Sequence, residues 1–291
     1  MVREIVSILL GTTGNKIGAQ FLNGLDHDYN LNIQSSLRES LNSPDKISAN
    51  DKYLLHVYYD ENKESLYHPR AVFADTQTLT SEYFNANNLC CLLPDNQIYG
   101  DSEQGTNKNW GIGYYSDDLF MQLVESIRRE VEKCDCIQGF QMFNSLGGGT
   151  GSGIGSRTIE FLKDEYPDTM ISSNVVFPDL DSVGGIYNCV LGLENLINFS
   201  NEVFSFDNDS LTECCQKNQH LSTPSYGDLN HVIGAVLTVT SFSLLSNEQS
   251  LSTMRKRINS LVPFSKMHFY SSKISPCISR GTCLYCVPSL E

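Results

Sequence analysis

The chain has 291 residues, 40% of them hydrophobic and 19% charged, the composition of a globular protein rather than a disordered one. Its 34 Asp and Glu outweigh 20 Lys and Arg, for a net charge of -14. That balance argues against nucleic-acid and anionic-membrane partners, since the densest basic spot is only Arg255-Lys256-Arg257. No run approaches the ~20 apolar residues of a transmembrane helix, and Ile5–Leu10, preceded by Glu4, is too short for a signal-peptide core. A cytoplasmic chain is expected.

In chain order, Val2–Leu10 reads as a strand ending at Gly11, and Asn15–Leu25 as a helix with Ile17, Phe21, Leu22 and Leu25 on one face. Residues 30–50 are polar and read as a surface loop. Tyr53–Tyr59 and Arg70–Asp75 read as strands, and Gly100–Asn109 as a second polar loop. Ser116 stands where a helix cap is needed, and Asp117 and Asp118 follow in a first turn that favours acids. Leu119, Leu123, Ile127 and Val131 then recur at four-residue steps. Ile137–Phe143 reads as a strand, Ser152–Glu165 as a helix, Met170–Phe177 as a strand and Val183–Asn198 as a helix. Strands alternating with helices of this length predict an α/β fold, a parallel sheet covered on both faces. After Pro224 the pattern changes. Asp228–Leu245 is apolar around most of its circumference and predicts a buried helix, followed by a helix at Thr253–Leu261 and a strand at Lys266–Ser271.

The ten cysteines include the adjacent pairs Cys90-Cys91 and Cys214-Cys215 and a lone CxxC at Cys283 and Cys286. No second CxxC or His pair stands at zinc spacing, so free thiols are expected.

The most informative stretch is Asn144-Ser145-Leu146-Gly147-Gly148-Gly149-Thr150-Gly151-Ser152-Gly153. It joins a predicted strand to a predicted helix. Glycines let backbone N–H groups approach a ligand closely, and the helix that follows adds positive dipole, so the stretch reads as a phosphate cradle. It is neither a Walker A loop nor a dinucleotide fingerprint. Asn107-Lys108-Asn109-Trp110 lacks the Asp of a Ras-type guanine motif.

Ser145 to Gly153 resembles the signature loop of the tubulin family. The upstream Cys134-Asp135-Cys136-Ile137-Gln138-Gly139-Phe140-Gln141 and the later Thr223-Pro224-Ser225-Tyr226-Gly227-Asp228-Leu229-Asn230-His231 are similar to that family too. So are Gly14-Asn15, Ile17-Gly18-Ala19, Leu261-Val262-Pro263-Phe264 and Ser279-Arg280-Gly281. The likeness runs along essentially the whole chain and is strongest to beta-tubulin. It implies the Rossmann-like GTPase fold shared with FtsZ, binding GTP or GDP. By that resemblance Gly11, Thr12, Thr13 and Lys16 of the first loop and helix, with Asp75, line the nucleotide site. Ser145, Gly148, Gly149, Thr150 and Gly151 hold the phosphates, Asp181 meets the ribose, Asn208 and Asn230 read the guanine edge, and Tyr226 stacks on the base. It further implies a nucleotide domain over 1–224, a central helix over 225–245 and part of an intermediate domain over 246–291. Family members run about half as long again, so the C-terminal helical domain is expected to be absent.

Several family positions differ. The usual Gly-Gln-Cys-Gly is Gly11-Thr12-Thr13-Gly14, the metal-side Glu is Gln77, the ribose-loop Glu is Gly185, and the loop before Trp110 is two residues longer. Loss of a carboxylate weakens a site for Mg²⁺, which prefers charged oxygens. Lys256 stands where alpha-tubulin carries the Glu that completes hydrolysis for a filament neighbour, and it is the beta-like residue. No catalytic group is therefore expected in this chain, and hydrolysis of its own nucleotide would need a partner's Glu. The expected partners are an alpha-tubulin-like subunit and lateral tubulin neighbours, in cytoplasmic microtubules. The rival readings are a non-polymerising tubulin-fold protein that binds partners at centrioles or cilia, a dinucleotide-dependent enzyme on a similar fold, and an inactive fragment.

Overall fold

The computed structural model describes residues 3–28, 55–61, 67–77, 94–100, 105–179, 181–218, 221–245 and 253–273. The expected loop over 30–50, the start of the expected strand at Tyr53, Cys90-Cys91, and Cys283 with Cys286 lie outside them. The five described cysteines, Cys134, Cys136, Cys189, Cys214 and Cys215, are free thiols. No helix of the described residues is long and apolar enough to cross a membrane.

Nine strands are described: β1 Glu4–Leu10, β2 Tyr59–Glu61, β3 Tyr67–Pro69, β4 Ala71–Asp75, β5 Gln97–Tyr99, β6 Ile137–Ser145, β7 Met170–Val176, β8 Glu202–Phe206 and β9 Phe269–Ser271. Seven form one sheet in the order β5-β4-β1-β6-β7-β8-β9, and every pairing in it is parallel. β1 explains why. All seven of its residues are buried, with Ile5 and Leu9 in one apolar cluster and Val6, Ile8 and Leu10 in the other. A strand apolar on both faces must be covered on both, and helices returning between parallel strands do that.

The helices are α1 Gly11–Asp28, α2 Trp110–Tyr114, α3 Asp117–Glu132, α4 Gly155–Glu165, α5 Val183–Phe199, α6 Asn208–Asn218, α7 Tyr226–Phe242 and α8 Met254–Leu261. α1, α7 and α8 lie in the cluster on one face with Phe21, Phe143, Ile233 and Ile258. α3, α4 and α5 lie on the other with Leu123, Ile127, Ile159, Leu162 and Leu196. Gly234 lets α7 close on α1: a Cβ there would stand 3.0 Å from the Gln20 Cβ.

The structure corrects the strand expected over Tyr53–Tyr59. Within the described part, Leu55 is helical, His56 to Tyr58 form a turn, and only Tyr59 is extended, in an antiparallel hairpin of β2 with β3. Leu55, Val57, Tyr58 and Tyr59 are all buried, and a turn can bury adjacent residues that strand alternation would send to opposite faces. Ser116 occupies the N-cap of α3 but its hydroxyl caps nothing; Asp117 instead pairs with Arg157 at 2.8 Å. α7 starts two residues earlier than expected, where Ser225 and Asp228 form a reciprocal capping box. The strand expected from Lys266 is confined to Phe269–Ser271, and it extends the same sheet beyond β8.

Candidate functional site

The strand order reverses between β1 and β6. From β1 the chain moves outward through β4 to β5, and from β6 it moves the other way to β9. Ligands in open parallel sheets bind at such a point, beyond the carboxyl ends of the strands. Gly11 follows β1, Thr76 follows β4 and Leu146 follows β6, and all three loops converge there.

They enclose a cavity of about 320 Å³, at the small end of ligand pockets. Its wall contains Gly11, Thr12, Thr13 and Asp75 from the first two loops, and Ser145 with Gly148 to Gly151 from the glycine loop. Lys16, Asp181, Asn208, Tyr226 and Asn230 are not in that wall. Asp181 is exposed ahead of α5. Asn208 and Tyr226 begin α6 and α7, which pack together through Cys215, Leu229, Val232 and Leu211. Asn230 is half-buried one turn into α7, while Tyr226 is 72% exposed. Lys256 is exposed in the first turn of α8.

The glycine loop is held by close backbone packing. A Cβ on Gly151 would lie 2.5 Å from the Ser145 carbonyl oxygen, and one on Gly153 would lie 2.3 Å from that of Trp110. The loop enters its helix through a π-turn, Thr150–Ile154, an irregularity frequent at functional sites. Gly11 turns the chain from β1 directly into α1 at φ +71, a left-handed conformation that glycine adopts without a steric cost. The helix therefore begins four residues before the apolar periodicity does.

The wall is completed by Gln77, which the sequence reading placed at the metal-side position, and by side chains it missed: Thr76, Thr106, Asn107 and Lys108. The Thr150 hydroxyl shares hydrogen bonds with those of Thr76 at 2.7 Å and Thr106 at 3.3 Å. Asn188, on α5, braces the whole arrangement. Its amide donates to the carbonyls of Lys108 at 2.8 Å and Gly147 at 3.1 Å, and its oxygen accepts the Trp110 N–H at 3.0 Å. Asn188 is buried, so each broken bond would leave a group unsatisfied at a cost of roughly 1–3 kcal/mol. Behind the loop Trp110 stacks on Tyr114 at 4.6 Å and donates to the Ser156 hydroxyl at 3.3 Å. Asn107 and Lys108 have φ of 47 and 55, a conformation that costs a residue with a Cβ about 1–2 kcal/mol.

Asp75 accepts a hydrogen bond from the Thr12 hydroxyl at 2.8 Å on one carboxylate oxygen and from the Gln77 N–H at 3.4 Å on the other. Burial, with the Asp75 charge nearby, pushes the Tyr99 phenol up to about 12, so it stays neutral. A divalent cation needs charged oxygens left open to it. Here each carboxylate oxygen accepts one hydrogen bond and keeps a lone pair, and the other charged side chain of the described wall is Lys108. One carboxylate beside the Thr12 hydroxyl is a sparse donor set for Mg²⁺, which also draws on phosphate oxygens and water, and no group of three His, Cys, Asp or Glu that could hold a metal stands among the described residues.

Comparison with known proteins places the sequence that builds this site in one family. The Tubulin/FtsZ family, GTPase domain, matches residues 4–216. The chain belongs to the tubulin/FtsZ family. Among its relatives it is 38% identical over 290 residues to the nucleomorph tubulin beta chain of Guillardia theta, covering 98% of this chain and 64% of that protein. It is 36% identical over 291 residues to the tubulin beta-2 chain of Emericella nidulans, covering 97% and 62%. It is 35% identical over 290 residues to the tubulin beta-1 chain of Homo sapiens, covering 98% and 62%. The chain thus spans a little under two thirds of the length of these beta-tubulin relatives. The seven-stranded parallel sheet flanked by helices is the Rossmann-like tubulin/FtsZ fold expected from the sequence.

Proposed function

We propose that this chain is a GTP- and GDP-binding, beta-tubulin-like subunit of the cytoskeleton whose nucleotide state controls its assembly. The observation that carries the reading is the cavity itself. Backbone N–H groups of a glycine loop, the hydroxyls of Thr12, Thr13 and Ser145, and the N-terminal end of α1 surround one space beyond β1, β4 and β6, which is chemistry for an anionic phosphate chain. Asn208 and Asn230 read the guanine, Tyr226 stacks on it and Asp181 meets the ribose, as the family pattern suggests. Gly11, Lys16, Asp75, Gly148, Gly149, Thr150 and Gly151 complete the site. Residues 1–224 form the nucleotide domain, 225–245 the central helix and 246–291 the start of an intermediate domain.

Assembly would be with an alpha-tubulin-like neighbour along a filament and other tubulins laterally, within cytoplasmic microtubules. Apolar side chains stand exposed where subunits could cover them, among them Val183, Tyr187 and Val190 on α5 and Phe264 and Met267 after α8. The test is equilibrium binding of GTP to the purified chain with ATP as competitor. Displacement by GTP and GDP but not ATP is expected; equal displacement by ATP would remove the guanine assignments.

Lys256 cannot act as the general base for a neighbour's nucleotide, because an ammonium has no lone pair with which to accept a proton. Mixed filaments carrying Lys256→Glu should turn over the neighbour's GTP faster. Unchanged turnover would remove Lys256 from the subunit interface.

A further inference from the structure

Asn188 stands one turn into α5 and is 5% exposed, in a helix whose other buried positions are Gly185, Cys189, Gly192 and Leu196. Asn favours a helix less than Ala or Leu does, and a buried amide costs free energy unless its polar atoms are paired. Its partners are therefore informative. Both amide hydrogens go to the carbonyls of Lys108 and Gly147, and the oxygen takes the Trp110 N–H. None of these three bonds is to its own helix. Lys108 belongs to one segment of the cavity wall, and Gly147 leads into Gly148 and Gly149 in another. The Trp110 N–H opens α2, where a helix offers it no partner of its own. α5 also lies against the glycine loop at Gly192, where a Cβ would stand 3.0 Å from the Leu146 Cδ2. That contact is apolar and without direction, whereas the Asn188 amide fixes the turn and the loop in both distance and angle.

Local opening of α5 at Asn188 breaks all three bonds at once, and so also releases the 105–110 turn and the glycine loop from each other. A ligand that binds only the closed wall opposes such an opening by mass action. Resting on the nucleotide reading above, we propose that Asn188 is the positioning residue that ties both wall segments to α5, so that a nucleotide in the cavity holds α5 closed. The same helix turns Val183, Tyr187 and Val190 to solvent, a spacing that puts them on one face. Through Asn188 the occupancy of the cavity sets how firmly that face is presented to a neighbouring subunit.

The test is amide hydrogen exchange along α5 in the whole chain, with and without saturating GTP, for wild type, Asn188→Leu and Leu196→Ala. Equilibrium dialysis gives each GTP affinity, and thermal melting confirms that each variant is folded. Asn188→Leu keeps the volume and removes the three bonds; Leu196→Ala removes a buried contact of the same helix that holds neither wall segment. At about 100 times its Kd, GTP should slow exchange in wild-type α5 by at least about tenfold. In Asn188→Leu, saturated with GTP, the slowing should fall below about twofold, and the affinity itself should drop roughly tenfold or more, the scale of one lost hydrogen bond left unsatisfied. Leu196→Ala should melt lower yet keep its GTP affinity within about twofold and its GTP-slowed exchange. Should Asn188→Leu not fold, Asn188→Ser, which vacates space instead of filling it, carries the same comparison. Wild-type α5 that exchanges equally fast with and without bound GTP overturns the assignment of Asn188 while leaving the nucleotide site standing. So does an Asn188 variant that keeps wild-type affinity and slowing, or a Leu196→Ala variant that loses both as fully as Asn188→Leu. A folded wild-type chain that binds neither GTP nor GDP overturns the nucleotide reading and this proposal together.

Discussion

Glu202→Ala and Arg257→Ala are each expected to destabilise the fold by about 3–5 kcal/mol, the cost of leaving one buried charge without its partner. The Arg257 guanidinium donates to the Glu202 carboxylate, with side-chain exposures of 5% and 0%. The pair ties α8 to β8 across 55 residues of chain. The same guanidinium lies 5.8 Å from the centre of the Phe204 ring. Burial pushes the neighbouring Tyr58 phenol up to about 12, so no nearby phenolate competes for the Arg. Against a total stability of about 5–15 kcal/mol for a typical domain, either single change would consume much of the margin. Replacing both by apolar residues of similar volume should recover most of the loss, because neither charge is then left alone. Urea denaturation of the two single variants and the double variant measures this directly. Single variants within about 1 kcal/mol of wild type would mean that water or another group solvates the pair.

Gly149→Ala is expected to remove phosphate binding, whereas Gly148→Ala should leave the fold undisturbed. The two glycines are neighbours in one loop, and their surroundings differ sharply. A Cβ on Gly149 would lie 2.5 Å from the Asn109 carbonyl oxygen, 2.6 Å from the Thr106 hydroxyl and 2.7 Å from the Asn109 nitrogen. Two of those three atoms are backbone and cannot swing aside, so the 105–110 turn must move away from the glycine loop. Overpacking of this kind costs typically about 1–3 kcal/mol. Here it falls on the contact that shapes the cavity, so the larger effect is on nucleotide affinity. A Cβ on Gly148 meets nothing within 4 Å, and its variant should melt within about 0.5 kcal/mol of wild type. Thermal melting and GTP binding on both variants make the comparison. Equal melting with equal binding would show that the loop does not need glycine at Gly149 for packing.

Much of the fold was legible because it rests on local pattern. β1, β6 and β7 are apolar runs bounded by breakers, and α3 and α5 repeat their buried residues at helical spacing. α6 was missed because it is short and polar, with Leu211 and Cys215 turned toward α7. β5 was missed because three residues carry no periodicity. The start of α1 was misplaced because Gly11 makes the turn before any apolar repeat begins.

The candidate site divided in the same way. Ser145 to Gly153 announced its chemistry within the sequence, because dense glycine at a strand-to-helix junction has few other uses. Asn188 carried no such signal. It lies among apolar residues of α5, and its three bonds to the Lys108, Gly147 and Trp110 backbones reach segments 80, 41 and 78 residues away.

The sequence by itself determined the parallel α/β class, the glycine loop, the long apolar helix and membership of the tubulin/FtsZ family, since each depends on residue types at fixed short spacing. Only the tertiary structure decided which loops meet at the reversal of strand order. It alone brought Thr76, Thr106 and Lys108 to the cavity wall and joined Glu202 to Arg257. Those contacts arise from packing between distant segments, where neither periodicity nor propensity carries information.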